Sequence, residues 1–165
     1  MTLFELLRQS HQVQRRLCSR LMSARSSQRQ RAAAFLQLKV ELQAHAAAEE
    51  RHLYVPLLMK DGGLASSRHA LSEHHEVEEL CAALSVPDKS GSDWSRTLAE
   101  LCTRVRHHLK EEESKFFKVA GRELTDRQKA TLARRYQAEL LAMRRKIAAD
   151  YQTVVQRADG GLATT

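Results

Sequence analysis

Two stretches decide how this chain folds: LQAHAAAEERHLYVPLL (residues 42–58) and RVRHHLKEEESKFF (residues 104–117). In each, a histidine stands four positions ahead of a glutamate, with apolar residues recurring around it at steps of three and four. On an α-helix that spacing stacks imidazole, carboxylate and apolar side chains on one face. A single such pair is an ordinary surface contact worth about 0.2–0.5 kcal/mol. Two of them, in the same relation to their apolar stripes, ask for a shared interior.

Working outward, breaks fall at SARSSQRQ (23–30), KDGGLASS (60–67), SVPDKSGSD (85–93) and VAGRELTD (119–126). The segments between them carry helical periodicity, and Gly and Pro together number only eight in 165 residues. Thr125 and Gln128 form a capping box that starts a last helix. The pattern predicts helices near 3–22, 31–58, 66–84, 93–118 and 126–155. Short connections make neighbours antiparallel, so the expected fold is all-α: an up-and-down four-helix bundle with an additional C-terminal fifth helix. The bundle is expected over 1–120, the fifth helix over 121–157 and a flexible tail over 158–165.

The stripes then place the polar residues. The fourth helix runs Trp94, Leu98, Leu101, Val105, His108, Glu112 and Phe116; the second runs Phe35, Leu38, Leu42, His45 and Glu49. The first passes through Leu7, His11 and Cys18, and the third through His74, Val77 and Cys81. Four helices thus aim a histidine inward, and two add a carboxylate one turn later. Most of the other His-x3-Glu pairs (His69–Glu73, His74–Glu78, His75–Glu79, His107–Glu111) read as solvent-side contacts, as do Glu50 and Glu113. Bare burial of four imidazoles and two carboxylates costs several kcal/mol, so something must neutralise them. A metal pair does so. No cysteine joins the set, which argues against structural zinc or an iron–sulfur cluster. Mixed imidazole and carboxylate ligands suit iron, manganese or zinc. A ferritin-like site would need Glu-x-x-His on two helices, and Glu49–His52 has no counterpart on the fourth.

The net charge of +7 gathers at the ends: residues 1–34 carry seven Arg against one Glu, and 121–165 nine bases against five acids. Without a recognition motif or interleaved aromatics this reads as a solvated helix surface, and nucleic acid is not an expected partner. Three cysteines without paired spacing suit a reducing compartment. No apolar run reaches membrane length and no signal-peptide pattern opens the chain, so a cytoplasmic protein is expected. The stripe Ala133, Tyr136, Leu140, Met143, Ile147, Tyr151 reads as packing along the bundle, with a homodimer or partner surface as the other use of it.

The ordered set of His11 in FELLRQSHQVQRRL, His45 and Glu49 in HAAAEERHLY, His74 in SEHHEVEEL, and His108 and Glu112 in HLKEEESKFF resembles the haemerythrin-like, or HHE cation-binding, family. The resemblance implies a bundle holding two iron ions in an oxo- and carboxylate-bridged centre, with Glu49 and Glu112 as bridges. Oxygen-carrying haemerythrins place two histidines four apart on the third helix; here Ala70 and Glu78 flank His74. Glu78, His52 or Tyr54 would supply the missing ligand, Tyr54 only if the helix bends at Pro56, since a straight helix puts it about 180° from His45. A site poorer in histidine favours ferric iron and reaction with hydrogen peroxide or dioxygen. The expected function is catalase-like peroxide decomposition in oxidative-stress defence. The alternative is a non-catalytic oxygen or iron sensor or carrier.

Overall fold

The computed structural model describes residues 1–23 and 27–160, with 155–160 described as backbone alone. Five helices account for nearly all of it, and no strand occurs among the described residues. Helix α1 spans Leu3–Met22, and α2 runs over 28–58. Helix α3 spans Leu64–Leu84, α4 runs over 92–123, and α5 spans Asp126–Gly160. The first break of the sequence reading falls partly on 24–26, and the expected tail from 161 onward; both lie outside the described residues. Residues 158–160 continue α5 rather than beginning the tail.

One device starts three of the helices. Thr2 and Glu5, Ser27 and Gln30, and Thr125 and Gln128 each exchange side-chain and backbone hydrogen bonds, satisfying amides that a helix start leaves unpaired. Ser27 therefore begins α2 three residues before its expected start. Helix α4 runs past the expected break at 119, through Gly121, and ends only at Leu124, whose backbone is extended. Between α2 and α3, Gly63 lies so close to Leu57 that a Cβ would sit 2.5 Å from the Leu57 carbonyl oxygen.

Cross-helix pairs show the antiparallel course. Glu50 meets His74 while Lys39 meets Ser85, which sets α2 against α3. Glu113 meets His11 while Arg106 meets Ser19, which sets α4 against α1. Helix α5 lies outside the four on α1 and α2, held by Arg51–Glu139 at 2.6 Å and by Arg144, which grips both Glu41 oxygens at 2.8 and 2.6 Å.

The interior has two apolar cores. One gathers Leu3, Leu7, Leu53, Leu57, Phe116, Phe117 and Leu124 with Leu132 and Leu140 of α5. The other gathers Cys18, Leu21, Phe35, Leu38, Leu84, Trp94, Leu98 and Leu101. Between them lies a buried polar layer containing His11, His45, Glu49, His108 and Glu112. Cys18, Cys81 and Cys102 are buried and free. No helix among the described residues is long and apolar enough to cross a membrane.

Candidate metal centre

The polar layer is built from all four bundle helices. His11 (α1) points Nε2 at Glu112 Oε2 from 3.2 Å, and His45 (α2) points Nε2 at Glu49 Oε2 from 3.0 Å. On the opposite side, His74 Nε2 of α3 lies 3.1 Å from His108 Nε2 of α4 and 3.5 Å from Glu49 Oε2. His108 Nε2 is 3.9 Å from Glu112 Oε2. Ligand-type atoms of His11, His45, Glu49 and Glu112 fall within 4.8 Å of one another, and so do those of Glu49, His74 and His108. The two groups share Glu49, so one carboxylate belongs to both possible ligand sets.

The outer nitrogen of every imidazole is held from outside. His11 Nδ1 is 2.7 Å from Glu113 Oε1, His74 Nδ1 is 2.9 Å from Glu50 Oε1, and His108 Nδ1 is 2.8 Å from Glu73 Oε2. His45 Nδ1 lies 2.9 Å from the Tyr136 hydroxyl. An ionised carboxylate only accepts, so in the first three pairs Nδ1 carries the proton and Nε2 faces inward. Partners of this kind fix the tautomer and orientation of metal-ligating histidines.

Sequence reasoning had placed Glu50, Glu113 and Glu73 on the solvent side. They are instead half-turned toward the neighbouring helix, where they meet an imidazole. The His69–Glu73 pair persists at 3.6 Å, but the other Glu73 oxygen serves His108. Tyr136 belongs to the stripe read as packing along the bundle or as a dimer or partner surface, a reading with no role for it at the site. It is fully buried, and its hydroxyl meets His45, a site histidine.

Helix winding delivers one more group. Residues Glu50–Tyr54 and Glu112–Phe116 form π-helical turns, with Val55 N–H bonded to the Glu50 carbonyl and Phe117 N–H to that of Glu112. Such a turn takes up one extra residue, shifting everything after it by about 100° against a straight helix. Tyr54 then occupies the position below Glu49 that residue 53 would otherwise take. Its hydroxyl lies 3.0 Å from Glu49 Oε2 and 2.7 Å from Glu112 Oε1. Such a turn does not require a proline, since α4 makes the same one with none near it. The turn in α4 also brings the Phe117 ring onto His11, with centroids 5.9 Å apart.

His52 and Glu78 lie elsewhere. His52 faces Glu139 of α5 at 3.8 Å, and Glu78 is exposed and outside both ligand groups. His75 and His107 are mostly exposed, as their phase required.

Electrostatics show what the layer lacks. Burial opposes charge on His11, yet the carboxylates of Glu112 and Glu113 outweigh it and hold the pKa up at about 9. His74 is likewise raised to about 10, burial being overcome by Glu49 and Glu50. Burial also opposes charge on Glu49, but His45 and His74 hold its carboxyl well below the usual range. Burial, with Glu112 and Glu49 beside it, pushes the Tyr54 phenol well up. Protons on His11 and His74 thus balance two buried carboxylates in the metal-free chain. They do not satisfy it: His11 Nε2, His45 Nε2, Glu49 Oε1 and Glu112 Oε2 are buried without a hydrogen-bond partner, the close approaches noted above being poorly aligned for one. A cation that displaced the His11 proton would meet lone pairs on all four of these atoms, which converge from three helices.

No curated protein and no solved structure matches the chain. The haemerythrin HHE cation-binding domain matches residues 2–120, ending before α5 begins. That span holds every inward histidine and carboxylate described above, and the chain therefore belongs to the haemerythrin HHE cation-binding domain family.

Proposed function

We propose that the chain holds two iron ions between His11, His45, His74, His108, Glu49 and Glu112, and decomposes hydrogen peroxide to water and dioxygen in the cytoplasm. The observation that carries the reading is the outer ring of Glu113, Glu50, Glu73 and Tyr136 on four Nδ1 atoms, which leaves four Nε2 atoms facing two buried carboxylates. When bound, such ions supply Lewis acidity and exchangeable electrons. The chain's own groups do the rest. Glu49 and Glu112, together with the four imidazoles, would hold the ions.

Tyr54 supports peroxide chemistry over reversible oxygen carriage. It puts an oxygen, rather than a further imidazole nitrogen, beside both carboxylates. As a phenolate it would be a ligand suited to ferric iron; as a phenol it holds a proton against Glu49 and Glu112. Leu53, Leu57, Phe116 and Phe117 wall off bulk water on one side. Three buried, free cysteines suit a reducing compartment.

The test is direct. Protein loaded with iron and assayed on an oxygen electrode should evolve dioxygen from hydrogen peroxide over many turnovers, and Glu49→Ala or Glu112→Ala should abolish this. Iron-loaded protein that binds and returns dioxygen but leaves peroxide untouched would replace this reading with a carrier.

A further inference from the structure

The sequence after His45 reads Ala46, Ala47, Ala48 where a bundle helix ordinarily carries larger side chains. Ala48 is buried, whereas Ala46 and Ala47 border a cavity of about 480 Å³ between α2, α3 and α5. Its walls are mainly apolar, from Leu42, Leu71, Val77, Val105, Met143 and Ile147. Its inner end is formed by His45, His74 and His108, three of the four imidazoles of the candidate centre. A water in the liquid claims about 30 Å³. The cavity is therefore far larger than dioxygen or hydrogen peroxide requires, and lies in the range of pockets that enclose small organic ligands.

A second observation says what such a ligand must carry. Gln14 lines the same cavity and is 1 % exposed, and its amide nitrogen has no hydrogen-bond partner. A buried donor left unpaired is costly, so an acceptor oxygen in the cavity would relieve it. The charge of the ligand follows from the rim. Glu50 and Glu78 border the cavity, and Glu49 lies beyond the histidines. Glu50 is paired with His74 at 2.9 Å, and no lysine or arginine lines the cavity, so its protein walls do not recruit an anion.

We propose that this cavity binds a small, neutral, mainly apolar organic molecule whose acceptor oxygen takes the Gln14 amide hydrogen beside the metal-centre histidines. The inference rests on the metal-centre reading only for the identity of its inner end. It concerns binding, and adds an organic ligand to a site otherwise read for peroxide alone.

Acetophenone is a suitable probe: neutral, apolar, with one carbonyl oxygen. Calorimetric titration of the iron-loaded protein should give saturable one-site binding. Gln14→Leu should weaken acetophenone by roughly two- to tenfold, the worth of one hydrogen bond, and leave ethylbenzene, which lacks the oxygen, unaffected. Ala46→Phe fills the cavity and should abolish acetophenone binding while iron content per chain is retained. Should Ala46→Phe fail to fold, the acetophenone–ethylbenzene contrast in Gln14→Leu decides alone. Absence of saturable binding, binding that Ala46→Phe leaves intact, or equal loss of both probes in Gln14→Leu would overturn the proposal. A chain with two irons that ignores acetophenone sinks the cavity inference and spares the metal reading. A chain that binds acetophenone without holding iron does the reverse.

Discussion

Replacing Tyr136 with phenylalanine separates orientation of a ligand from simple packing. Tyr136 is fully buried and offers its hydroxyl to His45 Nδ1 at 2.9 Å from α5, a helix outside the matched family span. Tyr136→Phe keeps the ring and removes one oxygen, so it opens almost no cavity. It leaves His45 Nδ1 buried and unpaired, at a cost of about 1–3 kcal/mol to the fold whether or not metal is present. If His45 also binds a cation, its ring loses the partner that fixes tautomer and aim, and metal affinity should fall a further 10- to 100-fold. That second loss is about 1.4–2.8 kcal/mol, and it appears only in the loaded protein. Thermal melts of metal-free and iron-loaded samples read the two separately. Both should drop by several degrees, at roughly 2–4 °C per kcal/mol, and the loaded sample should drop further. Chelator competition should show half-loss of iron at correspondingly lower chelator concentration. Tyr151→Phe, also on α5, removes only a hydrogen bond to Gln43 of α2 and should leave iron retention unchanged. Equal drops for both forms of Tyr136→Phe, with chelator resistance unaltered, would refute the orienting role.

His45→Ala and His108→Ala should each lose most of the iron and His107→Ala none of it, by metal analysis of purified protein; equal losses at 107 and 108 would sink the ligand assignment. The pH response of the metal-free chain follows from His11 at about 9 and His74 at about 10, against an ordinary 6.5. Both folded-state values are raised, so their stabilisation is whole below pH 6.5 and disappears as pH climbs through 9 to 10. Metal-free protein should therefore lose melting temperature across that window while iron-loaded protein holds, and identical profiles would contradict the account. Tyr54→Phe should remove visible phenolate-to-iron absorption and change the peroxide rate; an unchanged spectrum would leave Tyr54 as a packed hydroxyl.

Much of the site was readable in one dimension because helical phase is a local property. His11, His45, Glu49, His74, His108 and Glu112 each stand on the apolar stripe of their own helix, so any packing that buries the stripe gathers them. The same phase correctly turned His75 and His107 outward. The helices themselves were legible for a related reason: capping pairs such as Thr125 and Gln128 act within four residues.

What periodicity could not supply was everything that depends on a second helix or on a change of winding. Glu50 and Glu113 follow their neighbours by one residue, about 100° away on the helix, which in isolation means solvent. Whether that direction meets water or an imidazole depends on the rotation and register of the adjoining helix, and here Glu50 meets His74 and Glu113 meets His11. Tyr136 reaches His45 only because α5 lies along α2, clamped by Arg144 on Glu41. Tyr54 required the π turn after Glu49, where the count of 3.6 residues per turn no longer holds. The sequence by itself determined the helices and the inward set of ligand types, since both follow from contacts a few residues apart. Only the tertiary structure decided which groups hold the outer nitrogens and how Tyr54 enters, because those depend on distances between residues up to about a hundred positions apart.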